Sequence, residues 1–206
     1  MIGIIDCQIG NIGSLRNAFA YLGAQVEVIK HPEGLSACQA VVLPGVGAFD
    51  PAMAAVETSG FATAVKAYAG EGRPLLGICL GMQILTQGSE EGVLPGLGLV
   101  QGRAVNLRKL GCTGKVPHVG FNSIRSVNGD SSFLAETNGR DFYFVHSFGF
   151  ASPLLACSSA MVEYHGADFV AALQQGNIFA TQFHPEKSGE AGLMLLKHFL
   201  SCSKNA

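Results

Sequence analysis

The first half of the chain alternates two hydrophobic periods. The run "IGII" at Ile2–Ile5 is continuously apolar, closed by Asp6, and short enough for a buried strand. Ile12, Leu15, Phe19 and Leu22 then recur at three- and four-residue spacing, which lines one face of a helix, and Gly23 stands where that helix would stop. The alternation repeats. It predicts strands at 26–29, 41–43 and 75–78, an Ala-rich helical region at about 51–69, and a helix beginning after Cys79. Short continuous apolar strands separated by helical patterns predict a parallel sheet covered by helices on both faces.

From residue 96 to 182 the pattern changes. The runs are shorter and broken by Gly, Asn, Ser and Pro, with "FYFVHSFGF", "MVEYHG", "FVAAL" and "IFATQF" as the strongest strand candidates, which predicts antiparallel hairpins added to the sheet. The closing "SGEAGLMLLKHFL" predicts a helix with Leu193, Leu196 and Leu200 on one face and Ser188 as its N-cap. No repeat, low-complexity tract or linker divides the two halves. The expected architecture is one α/β domain over residues 1–206: a mostly parallel central sheet flanked by helices, with an antiparallel extension.

Composition narrows the partners. Apolar residues make up 48% of the chain and charged residues 14%, yet no apolar run approaches the roughly 18 residues that suggest a membrane span. The N-terminal "MIGIIDCQIG" lacks a basic region and a small-residue cleavage site, so it reads as a first strand in a cytoplasmic protein. The net charge of −2 is spread without long runs, which recommends neither nucleic acid nor an anionic membrane as partner. Six cysteines are scattered with no C-x-x-C, which argues against a zinc knuckle or a thioredoxin-type pair, and no metal or cofactor is called for.

One cysteine differs from the others. In "PLLGICLGMQIL", Cys79 lies between Gly77 and Gly81 where a strand pattern turns into a helical one. G-x-C-x-G at such a corner has the form of a nucleophile elbow with sulfur in place of oxygen, the glycines letting the turn close and substrate approach. A helix N-terminus favours the thiolate, and the amide of Leu80 points where an oxyanion would form. On the motif alone, a buried cysteine in a tight turn stays an open reading.

A thiolate nucleophile needs a base and a group to orient it. Of His31, His118, His146, His165, His184 and His198, His184 stands out in "ATQFHPEKS", where it ends an apolar strand and precedes Pro185 and Glu186. In an extended or turning H-P-E the two side chains can share one side of the chain, so that Glu186 bonds the imidazole and fixes its tautomer.

Together, "GICLGMQ" and "QFHPEKS" resemble the class I, triad-type glutamine amidotransferases. "GIIDCQIGNIGSLRNAF", "LPGVGAF", "SEEG", "KVPHVGFN", "FYFVHSF" and "DFVAAL" follow in the order seen in the glutaminase subunits of imidazole glycerol phosphate synthases, over essentially the whole chain. The resemblance implies a flavodoxin-like fold and a Cys79, His184, Glu186 triad that hydrolyses L-glutamine to glutamate and ammonia. It makes 44–47 the oxyanion strand, with Gly45, Val46 and Gly47 turning an N–H toward the developing charge beside that of Leu80. Glycines on both sides of Val46 would let that peptide turn either way. Gln83 matches a position that contacts the substrate glutamine, and the backbone of His146, Ser147 and Phe148 matches the segment that holds its amino-acid end.

The resemblance further implies a heterodimer with a (β/α)8 synthase subunit, which uses the ammonia to make imidazole glycerol phosphate in histidine biosynthesis. Asn11 and Lys187 match positions near that interface, and Phe121 stands where the family commonly has Trp. Two other departures are "DCQIGN" for Asp-Tyr-Gly-x-Gly-Asn and Phe148 for Tyr. An alternative partner is the synthase-like enzyme that forms an amidino sugar in surface-polysaccharide pathways. A peptidase and a non-catalytic binding subunit are the alternatives from other classes. Glutamine turnover separates them.

Overall fold

The computed structural model describes residues 1–8, 10–128, 131–151 and 157–202. Its elements in chain order are β1 (Ile2–Ile5), α1 (Ile12–Tyr21), β2 (Val26–Ile29), β3 (Ala40–Gly45), α2 (Phe49–Thr58), α3 (Phe61–Gly70), β4 (Leu75–Cys79) and α4 (Leu80–Leu85). There follow β5 (Gly88–Ser89), β6 (Arg103–Asn106), β7 (His118–Ser123), β8 (Ser126–Asn128), α5 (Ser132–Ala135), β9 (Asp141–His146) and β10 (Phe148–Gly149). The chain continues through β11 (Ser158–Tyr164), β12 (Ala167–Gln175), β13 (Ile178–Thr181) and α6 (Gly189–Cys202).

The main sheet has eight strands in the order β2, β1, β3, β4, β13, β12, β11, β8. The first five are parallel and the last three add antiparallel, which is the mostly parallel sheet with an antiparallel extension expected from the sequence. The continuous apolar strands are explained by cover on both faces. Along β3, Val41 and Leu43 pack toward Phe49, Met53, Val56, Phe61 and Val65 of α2 and α3. The alternate residues Ala40 and Val42 pack on the other face with Leu15 and Phe19 of α1 and Leu195, Leu196 and Phe199 of α6.

Four local expectations need correction. The helical region at 51–69 is two helices, broken at Ser59–Gly60, where Gly60 takes φ +80°. The segments "HVGFNS" and "DFYFVH" do not extend the main sheet but pair with each other as a separate two-stranded sheet, β7 with β9. In α6 the fully buried face is Gly192, Leu195, Leu196 and Phe199, while Leu193 and Leu200 flank it half-buried. Ser188 also uses its hydroxyl differently: it donates to the His184 carbonyl at 2.6 Å and accepts from the Tyr143 amide at 2.9 Å. This ties α6, the turn before it and β9 together.

Candidate active site

Cys79 is the last residue of β4 and the residue before α4, with φ 55° and ψ −110°. A non-glycine residue at positive φ is strained by about 1–3 kcal/mol, and such strain persists only where surrounding packing enforces it. Here the enforcement comes from α4 lying against β3: a Cβ on Gly81 would stand 1.9 Å from the Leu43 carbonyl oxygen. The second glycine of G-x-C-x-G is therefore required by helix-on-strand approach, a reason the sequence reading did not give. The Cys79 sulfur lies 3.9 Å from the Val145 carbonyl oxygen and 3.7 Å from Gln182 Nε2.

His184 reaches the same place from the neighbouring strand. β13 runs parallel to β4, with Thr181 opposite Ile78, so the chain leaves β13 beside the end of β4, where Cys79 sits opposite Gly45 of β3. Both groups thus stand at the carboxyl ends of adjacent parallel strands, the edge at which open α/β sheets place their ligands. A 3-10 turn at Pro185–Lys187 folds Glu186 back, and His184 Nδ1 donates to Glu186 Oε1 at 2.8 Å with both side chains 2% exposed. The His184 amide donates to the Tyr143 carbonyl at 2.9 Å, which fixes the backbone of His184.

With Nδ1 committed to Glu186, His184 Nε2 is buried without a hydrogen-bond partner, and it is the nitrogen left for the sulfur. Burial alone would lower the His184 pKa, but Cys79 and Glu186 together outweigh it and raise it to about 9. The site therefore holds a proton on the imidazole at neutral pH.

A cavity of about 330 Å³ opens over the sulfur, lined among others by Val46, Gly47, Cys79, Leu80, Gln83 and His146 to Phe148. Every expected substrate-binding residue except Gly45 lines it, and Gly45 is the β3 residue paired with Cys79. Gly47 has φ +97°. Two of the three expected backbone contacts are already partly engaged: the Ser147 carbonyl accepts from the Leu107 amide at 2.9 Å, and the Phe148 carbonyl accepts from His146 Nδ1 at 2.8 Å and Gln83 Nε2 at 3.4 Å.

Two further residues at the site, Glu91 and Gln182, were missed in the sequence, and a third, His118, was weighed there only as a candidate base. Glu91 is the carboxylate among the lining residues, and its Oε2 accepts from the Phe49 amide at 2.9 Å. Gln182 is fully buried beside the sulfur. His118 Nδ1 lies 3.3 Å from His146 Nε2. Burial holds His118 at a pKa of about 4 and His146 at about 3, so both are neutral. "SEEG" and "QFHPEKS" had flagged the first two segments without singling out these side chains.

The expected interface residues separate. Phe121 is 62% exposed and packs edge-on to Tyr143, with centroids 5.6 Å apart. Lys187 Nζ lies 5.8 Å from the same ring. Val119 and Val145, cross-strand partners next along the β7–β9 pair, are exposed too, so one face of β7 and β9 presents apolar side chains to solvent. Asn11 is exposed at the N-terminus of α1, where its Oδ1 accepts from the Ser14 amide at 3.5 Å. Among the described residues no helix is long and apolar enough to cross a membrane, and none form a group of three or more His, Cys, Asp or Glu side chains suited to a metal ion.

Known proteins resemble this arrangement in sequence and fold. Residues 3–201 match the glutamine amidotransferase class-I family. The imidazole glycerol phosphate synthase subunit HisH of Moorella thermoacetica is 43% identical over 199 residues, covering 96% of this chain and 93% of the relative. The HisH subunit of Methanothermobacter thermautotrophicus is 44% identical over 201 residues, covering 97% and 98%. In fold, the chain superposes on a crystal structure of a glutamine amidotransferase with TM-score 0.76 at 17% identity, covering 98% of both chains. It superposes on the glutaminase domain of Trypanosoma brucei CTPS with bound acivicin with TM-score 0.68 at 14% identity, covering 97% and 93%. The chain belongs to the class-I glutamine amidotransferases, within the group of imidazole glycerol phosphate synthase subunits HisH.

Proposed function

We propose that this chain is the glutaminase subunit of an imidazole glycerol phosphate synthase, with Cys79, His184 and Glu186 as its catalytic triad. The observation that carries the reading is the strained Cys79 at the floor of a cavity, beside a buried His184–Glu186 pair whose free nitrogen has no other partner.

The Cys79 thiolate attacks the side-chain amide carbon of glutamine, and the carbonyl electron pair moves onto oxygen. The Leu80 amide and an amide of the 45–47 strand stabilise that oxyanion. As the intermediate collapses, the C–N bond breaks, His184 passes its proton to the leaving nitrogen, and ammonia departs from a glutamyl thioester. Water then gives a proton to His184 and attacks the thioester; the C–S bond breaks, freeing glutamate and restoring the thiolate. Glu186 holds the Nδ1 proton throughout and stabilises the imidazolium. Glu91 is the counter-charge for the substrate's α-ammonium, and the unpartnered Gln83 Oε1 is an acceptor a substrate N–H can fill.

The acceptor of the ammonia is a (β/α)8 synthase subunit, docked as a heterodimer on the face formed by Val119, Phe121, Tyr143 and Val145, with Lys187 and Asn11 near its margin. An exposed apolar patch with an aromatic centre is the surface such docking requires. The similarity to HisH subunits favours this partner over the amidino-sugar pathway. The test is glutamine turnover by the chain reconstituted with the synthase subunit: formation of glutamate coupled to imidazole glycerol phosphate supports it, and turnover of peptides instead of glutamine overturns it.

A further inference from the structure

Resting on that reading of the site, we propose that Gln182 is a further catalytic residue: its side-chain amide is a hydrogen-bond donor to the Cys79 thiolate, locked in the donating orientation by Gln83. Gln182 Nε2 lies 3.7 Å from the sulfur, within range for an N–H to a large, polarisable acceptor, and the residue is fully buried.

The orientation follows from an anchor that can only accept. The Phe148 carbonyl receives Gln83 Nε2 at 3.4 Å, so Gln83 must turn its NH₂ group inward, and that same NH₂ donates to Gln182 Oε1 at 3.3 Å. With its oxygen occupied, Gln182 has only its NH₂ to offer the sulfur. The Phe148 carbonyl is itself held from the other side. It accepts from His146 Nδ1, which makes His146 Nε2 an acceptor and obliges His118 to donate through Nδ1. Both imidazoles are neutral, so this tautomer chain is stable through the physiological range. The backbone of Gln182 is equally fixed, its amide donating to the Ala171 carbonyl at 2.7 Å.

The second group beside the sulfur explains why a donor is needed. The Val145 carbonyl, 3.9 Å away, accepts a proton from the thiol but repels a thiolate. A buried N–H aimed at the sulfur offsets that repulsion and favours the charged form. His184 supplies charge to the thiolate, and Gln182 supplies a fixed dipole that does not have to move when the proton on His184 is transferred.

The test measures the rate of Cys79 alkylation by iodoacetamide against pH, read at that residue by mass spectrometry, with the full-length chain. In Gln182→Met, which keeps the volume and removes the donor, the alkylation rate at neutral pH should fall about tenfold. Gln83→Met, which frees Gln182 to rotate, should lower it by less. Should Gln182→Met not fold, the Gln83→Met profile decides alone. A folded variant with an unchanged profile overturns the proposal. Glutamine turnover by the wild-type complex, assayed in parallel, tests the triad reading itself, so that a failure of either can be told from a failure of the other.

Discussion

The amide of His184 donates to the carbonyl of Tyr143 at 2.9 Å, and the Tyr143 amide donates to the hydroxyl of Ser188, four residues further along the chain. The two-stranded sheet that turns Tyr143 of β9 and Phe121 and Val119 of β7 outward therefore also holds the backbone of His184, and further residues of β9, Val145 and His146, border the sulfur and the cavity. A partner seated on the outer face of β9, as proposed, would press on the backbone that hydrogen-bonds to His184 and borders the Cys79 sulfur.

Phe121→Ala should accordingly weaken docking of the synthase subunit by roughly 30-fold, the scale of a 2 kcal/mol interface residue. Because the ring is mostly exposed in the free chain, its removal should leave thermal stability within about 0.5 kcal/mol. Calorimetric titration with the partner and a melting curve check both halves, and an unchanged affinity would place the interface elsewhere.

Cys79→Ala should remove glutamine hydrolysis by about 10⁴-fold or more, while relieving the positive-φ strain only slightly and leaving the fold intact. A glutamine-analogue inactivator should label Cys79 in the wild type and nothing in this variant. An adduct on any of the other five cysteines would refute the assignment.

His184→Ala should cost about 10²–10⁴ in kcat, whereas Glu186→Gln should cost less, because Glu186 orients and charges the imidazole but does not carry the transferred proton. The pH profile separates the two effects. With the His184 pKa near 9, activity should fall on the alkaline side as the imidazolium proton is lost through that pH. Since Glu186 is one of the groups that raise this pKa, Glu186→Gln should move the alkaline limb to lower pH. A limb in the same place would mean that Glu186 does not act through His184.

Gly47→Ala tests the oxyanion strand. A Cβ there meets no atom within 4 Å, so any penalty arises from the backbone, which at φ +97° is a conformation that L-residues rarely adopt. If turning the 45–47 peptide supplies the second oxyanion donor only in the complex, the variant should lose roughly 10²–10³ of the partner-stimulated rate while its affinity for the partner is kept. Stimulation equal to that of the wild type would rule out a gating role for this strand.

The neutral pair His118 and His146 predicts an acid limb in stability. Their folded pKa values, about 4 and about 3, lie below the unfolded value near 6.5, so the unfolded state binds more protons in between and stability falls as pH drops from 6.5 toward those values. The raised pKa of His184 acts oppositely, with its contribution complete below 6.5 and lost as pH rises through about 9. Urea midpoints measured from pH 7 to pH 4 should show the decline, and His118→Gln should flatten it.

The sequence by itself determined the parallel half of the fold and singled out Cys79, His184 and Glu186 as the candidate triad. Residues such as Val41, Leu43, Leu75 and Ile78 announce a strand buried on both faces by hydrophobicity alone, a local property, and the Gly-flanked Cys79 and the His-Pro-Glu turn are short motifs whose meaning depends on a few neighbours. Pattern could not tell which strand would be the neighbour of β4. The chain reaches β13 only after passing through the antiparallel strands, and the pairing of Thr181 with Ile78 that brings His184 beside Cys79 is a long-range contact. The same limit hid the separate β7–β9 sheet, because alternation along "FYFVHSF" specifies a strand but not its partner. It hid Gln182 and Glu91 as well: a glutamine next to a buried Phe and an acidic pair in a loop acquire chemistry only from the sulfur and the cavity that tertiary packing sets beside them.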